Sequence, residues 1–188
     1  MKESLEREGV LSPKNIEKRL NGRHSYMQVW RAVNEAKGLL YGTEDSSYSR
    51  LRSFFELCCE ANPGTIAVTE TTEDNHFKRC FLALNVSIAG YQWCKPIIAV
   101  DGTFRKTKNI GVVLVAATVD GNGRNFPLCW SVVRSENRED VVWFLNLMNQ
   151  QFLINKDVAF ISDRGDALLY GIATMFPENP HAFCVKHL

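Results

Sequence analysis

No stretch of this 188-residue sequence approaches the run of about 18 apolar residues that a membrane-spanning helix needs. The first ten residues, MKESLEREGV, hold no apolar segment of the kind a secretory leader requires, which argues against secretion. Charge of one sign is also missing. There are 22 Lys and Arg against 21 Asp and Glu, so any contact with nucleic acid has to come from local grouping rather than from a basic whole. The 6 cysteines are scattered, with Cys58 and Cys59 adjacent, and this suits reduced intracellular thiols better than a disulfide framework. Neither G-x-x-x-x-G-K-[ST] nor G-x-S-x-G occurs, which removes the phosphate-loop and nucleophile-elbow classes. The stretch Asp120 to Gly123 looks like the start of a calcium loop, but the downstream ligand spacing is absent and the strands around it read as a hairpin.

What is present supports a packed core, since 45% of the residues are apolar. Residues 1–64 read as a helical N-terminal segment. Ser12-Pro13 opens a short helix through Leu20, Tyr26 to Leu40 repeats apolar residues at helical spacing, and SRLRSFFELCCEA forms a third helix stopped by Asn62-Pro63-Gly64. Three short helices allow a helix-turn-helix-like DNA module. With ten basic and nine acidic residues through Ala61, no basic recognition face stands out, and a helical prefix packed on the next domain is the simpler reading.

Residues 65–188 change character. Thr65 to Thr71 is strand-like, and Phe77 to Ala89 reads as a strand followed by a helical turn. Pro96 to Asp101, Gly111 to Asp120 and Phe126 to Arg134 are three further strands, the last two joined by the Asp-Gly-Asn-Gly turn. A helix starts at Ser135-Glu136-Asn137, a strand runs from Asp157 to Ser162, a helix from Arg164 to Phe176, and a last strand starts near Ala182. From Pro96 onward the order is β-β-β-α-β-α-β. That is the order of a ribonuclease-H-like α/β fold with a mixed sheet, here incomplete at the C-terminus. In such a sheet the first and fourth strands are neighbours, and ligands gather at the carboxyl ends of the strands.

IIAVDGTFR (Ile97 to Arg105) and VAFISDRGD (Val158 to Asp166) each place one acid after an apolar run, at Asp101 and Asp163. Two such carboxylates on neighbouring strand ends suit a hard divalent cation such as Mg²⁺ or Mn²⁺, although an Asp followed by Gly is also ordinary turn chemistry. Arg105, Lys106 and Lys108 are close enough in sequence to meet a phosphate, or else form a solvated turn. His181, Cys184 and His187 make an H-x₂-C-x₂-H cluster, a candidate Zn²⁺ site. On an extended strand that spacing sends neighbouring members to opposite faces, so a buried Cys with two ordinary His is the competing reading.

VDGTFRKTKNIGVVLVAATVDGNGRNFPLCWSVVRSENREDVVWFL, ISDRGDALLYGI and FPENPHAFCVKHL together resemble the transposase domain of Mutator-like elements, which also occurs in plant regulators of the far-red-impaired-response type. The upstream SYMQVWRAVNEAKGLLYG, SYSRLRSFFELCCEANPGT and CFLALNVSIAGYQWCKPIIAVDGTF extend the resemblance over about residues 20–188. It implies an Asp-Asp-Glu transposase with Mg²⁺ or Mn²⁺ as cofactor. Asp101 matches the first acid, Asp163 the second, and Cys184 and His187 the C-x₂-H motif that follows it. DNA (the element's terminal repeats and its target) is the implied partner, with self-association as a further option and the nucleus as the place of action. The family's third acid, a Glu on a later helix, has no counterpart before Leu188. The expectation is therefore a transposase front half with little or no activity alone. The alternative is a domesticated or decayed module that binds DNA or protein without cutting.

Overall fold

The structure, a computed structural model, describes residues 13–20, 23–41, 50–104 and 111–185. It divides into two compact units, Met1–Arg50 and Leu51–Leu188.

The first unit contains α1 (Pro13–Arg19) and α2 (Tyr26–Tyr41), which pack against each other. Ser25 caps α2 reciprocally with Gln28. The Ser25 N–H donates to Gln28 Oε1 at 2.9 Å, and the Gln28 N–H reaches Ser25 Oγ at 3.4 Å. Val29 and Val33, one turn apart on α2, are buried.

The second unit runs α3 (Leu51–Ala61), β1 (Ile66–Thr71), β2 (Phe77–Ala83), α4 (Asn85–Gly90), a 3₁₀ turn (Tyr91–Trp93), β3 (Ile97–Phe104), β4 (Val112–Val119), β5 (Asn125–Val133), α5 (Arg138–Phe152), β6 (Ala159–Ser162), α6 (Asp166–Met175) and β7 (His181–Phe183). The seven strands form one mixed sheet in the order β1-β2-β5-β4-β3-β6-β7. Strands β3, β4 and β5 form an antiparallel meander. Then β6 adds parallel to β3, and β7 parallel to β6. The first and fourth strands of that series are thus neighbours, as the element order predicts. The β1–β2 pair, whose place the sequence left open, joins the same sheet through β2 and β5. Among the described residues no helix is long and apolar enough to cross a membrane.

Strand β4 shows how the layers form. Its residues alternate, with Val112, Leu114 and Ala116 fully buried and Val113, Val115 and Ala117 half-exposed. The buried set joins Ile98, Val100 and Phe160 under Val141, Phe144, Leu145 and Met148 of α5 and Leu168 and Ile172 of α6. The two helices cross closely at Gly171, where a Cβ would lie 2.6 Å from Val141 Cγ1. On the opposite face of the sheet, Phe55 of α3 is buried with Cys80 and Leu82, against Trp130 and Val132. Helix α3, grouped by the sequence with residues 1–64, lies in the unit that contains the sheet, because the second sheet face offers its apolar stripe a partner.

Candidate active site

Strand β3 continues three residues past Asp101, pairing with β4 through Phe104. The sequence pattern ends that strand at the acid, at Asp101. Asp101 is a strand-end residue only toward β6, which stops at Ser162. Between these parallel neighbours the register offset is constant, with Ile97 opposite Ala159, Ile98 opposite Phe160 and Ala99 opposite Ile161 (159 − 97 = 62). Asp101 and Asp163 have the same offset (163 − 101 = 62), and Asp163 is the first residue beyond the end of β6, so the two acids belong to the same end of two adjacent parallel strands. Parity places Asp101 with the exposed Ala99, on the face away from Ile98 and Val100. Asp101 is exposed and Asp163 half-buried. One Asp163 oxygen, Oδ1, accepts the Gly165 N–H at 2.9 Å, which closes a tight turn and fixes the carboxylate.

A third carboxylate reaches the same strand ends from the helix face, the side of Val100 and Gly102, opposite to Asp101. Glu136 lies in the turn between β5 and α5. Asn137 sets that turn. Its side chain accepts the Asp140 N–H at 2.8 Å and caps the helix, and its Nδ2 donates to Ser135 Oγ at 2.9 Å and Asp140 Oδ2 at 2.8 Å. The Glu136 carboxylate comes to rest against two glycines. A Cβ on Gly102 would lie 2.7 Å from Glu136 Oε2, and a Cβ on Gly165 would lie 3.0 Å from Glu136 Oε1. One glycine follows Asp101 directly and the other is two residues beyond Asp163. Burial raises the Glu136 carboxyl above its ordinary range, and the negative charges of Asp163 and then Asp101 raise it further. The sequence reading took Glu136 as an ordinary helix-start acid. Its only signal there was the glycine placed beside each aspartate.

The other candidate residues fall differently. His181, at the start of β7, holds Ser162 Oγ through Nε2 at 2.9 Å. The Ser162 hydroxyl donates to the Asp163 carbonyl at 2.7 Å, and the Cys184 N–H donates to the Ser162 carbonyl at 2.7 Å. Burial lowers the His181 pKa. His181 and Cys184 therefore brace the backbone that carries Asp163. His187, Arg105, Lys106 and Lys108 lie outside the described residues. Among the described residues no three His, Cys, Asp or Glu side chains are grouped so as to close around one metal ion. What gathers at the strand ends is all carboxylate oxygen, beside backbone that two glycines leave open. That chemistry suits a hard cation that takes one or two carboxylates and keeps its waters. It does not suit zinc, which prefers nitrogen and sulfur.

No curated protein matches the chain. Residues 97–188, the segment that runs from β3 through both aspartates to Leu188, match the family model described as MULE transposase domain, which bears out the resemblance to Mutator-like transposases over that part of the chain.

Proposed function

We propose that residues 97–188 carry the aspartate pair of an Asp-Asp-Glu transposition centre on a ribonuclease-H-like sheet. The reaction is phosphodiester cleavage at the ends of a DNA element, followed by joining of the freed 3′-hydroxyl to target DNA. The reading carries a nuclear location with it. Its main support is the register between β3 and β6, whose offset of 62 Asp101 and Asp163 share, inside the segment that matches the family.

Asp101 and Asp163 are the residues to hold a divalent cation. What such a cation supplies, when bound, is polarisation of the phosphodiester and activation of the attacking oxygen. The protein's part is positioning. Asp101 is fixed within a paired strand, and Asp163 is fixed by the Gly165 N–H and by the Ser162–His181 brace behind it. The exposed face beside Asp101 leaves room for a DNA strand to approach. The test is a Mg²⁺ titration of the chain followed by amide NMR at Asp101 and Asp163. Both sites are expected to respond in the wild type, and neither in Asp101→Asn or Asp163→Asn, with both variants melting as the wild type does. A response that survives either substitution removes the aspartate pair from the site.

A further inference from the structure

Resting on that reading of the aspartate pair, we propose that Glu136 is a positioning residue of the same site, an outer carboxylate that strengthens cation binding from the helix side of the sheet. Its placement is built by the fold. The Asn137 cap fixes the turn, and Asp140, held by that cap, is ion-paired to Arg79 on β2 at 3.0 Å. The turn therefore cannot drift without breaking the start of α5. The space its carboxylate enters exists because residues 102 and 165 have no side chain; a Cβ at either would stand 2.7 Å or 3.0 Å from a Glu136 oxygen. A Cβ on Gly165 would stand 3.0 Å from both Glu136 Oε1 and Asp163 Oδ1, so these two acids are neighbours across that glycine, where like charges repel unless a cation lies near. No described trio closes directly on one ion, so the role is that of an outer partner that would act through its charge.

The experiment is a Mn²⁺ titration of the full chain followed by water-proton relaxation, with a metal-free thermal melt of each variant. Glu136→Gln keeps the shape and removes the charge. It is expected to weaken Mn²⁺ binding by about 10–100-fold, the usual cost of losing an outer-shell partner. The melting temperature without metal is expected to stay at or above that of the wild type, because a repulsion has been removed. Glu139→Gln, an exposed acid on the same helix end, controls for net charge and is expected to leave the affinity nearly unchanged. Equal affinities for Glu136→Gln and Glu139→Gln overturn the proposal, as does a weaker affinity accompanied by a lower metal-free melting temperature. If Asp101→Asn abolishes binding while Glu136→Gln matches the wild type, the aspartate pair stands and the role of Glu136 falls. A wild-type chain that binds no Mn²⁺ overturns both.

Discussion

Glu136 pays an electrostatic penalty in the metal-free fold, and that penalty has a pH signature. Its carboxyl is raised in the folded state by burial and by Asp163 and Asp101, so the folded chain binds this proton more tightly than the unfolded chain does. Below the ordinary value of 4.5 the group is protonated in both states and costs nothing. As pH rises through 4.5 and then through the raised folded value, the unfolded chain ionises first, and stability falls to a lower plateau. In metal-free buffer Glu136→Gln is therefore expected to melt above the wild type at pH 7. The gap should narrow as pH falls toward 4.5. A gap that stays constant with pH would show that neither burial nor the two aspartates raise the carboxyl. The two aspartates were legible in the sequence because each breaks an apolar run, and a constant separation of 62 matched a parallel register. Glu136 was not, because Ser-Glu-Asn before a helix is what any helix start looks like. Only the fold brings that turn against glycines 34 and 29 residues away (136 − 102 and 165 − 136).

Three elements meet at Arg79, and this meeting holds the start of α5 where the site needs it. Arg79 on β2 is 8% exposed at its side chain. Its Nε donates to Glu70 on β1 at 2.7 Å, its Nη1 donates to Asp140 on α5 at 3.0 Å, and its guanidinium lies 4.5 Å from the centre of the Trp143 ring. The Trp143 Nε1–H completes the loop by donating to Glu70 Oε1 at 2.7 Å. Arg suits this position because its planar fork bonds two acids while its face stacks on an indole. Arg79→Met leaves Asp140, 6% exposed, without a counter-charge. The expected loss is about 3–5 kcal/mol, read as a lower urea midpoint with an unchanged slope. An unchanged midpoint would mean that the network adds nothing to stability. The strands themselves were legible from alternation and turn residues: Asp120 Oδ1 accepts the Asn122 and Arg124 N–H groups at 2.9 Å and 2.8 Å, and Gly123 has φ +81. The pairing of β2 with β5 was not, because it joins residues about 50 positions apart (Arg79 with Val133, Leu82 with Trp130) and no local rule encodes such a partner.

For the whole molecule, the decisive question is where the sheet-bearing unit starts. Asn62-Pro63-Gly64 is so strong a breaker that the sequence reads a boundary there, yet the compact units divide at Arg50 and Leu51. The reason is the second face of the sheet. Its first face is closed by α5 and α6, but on the second Val113, Val115 and Ala117 are only half-covered, and Cys80 and Leu82 are buried in one cluster with Phe55 of α3. Phe55 is 4% exposed, and burying a Phe of that kind contributes roughly 1.5–3 kcal/mol before the newly bared Cys80 and Leu82 are counted. Two fragments separate the alternatives. A chain of residues 51–188 is expected to unfold in one cooperative step, with the stability of the sheet transition in the full protein. A chain of residues 65–188 lacks α3, so it should lose roughly 3 kcal/mol or more and bare an apolar face large enough to promote aggregation. The readout is urea unfolding followed by tryptophan fluorescence, since Trp130 lies directly against Phe55 with ring centres 6.1 Å apart. Equal midpoints for the two fragments would return the boundary to the Pro-Gly turn and make α3 an ornament of the sheet. A lower midpoint for the shorter fragment makes α3 part of the unit that holds Asp101 and Asp163 in register.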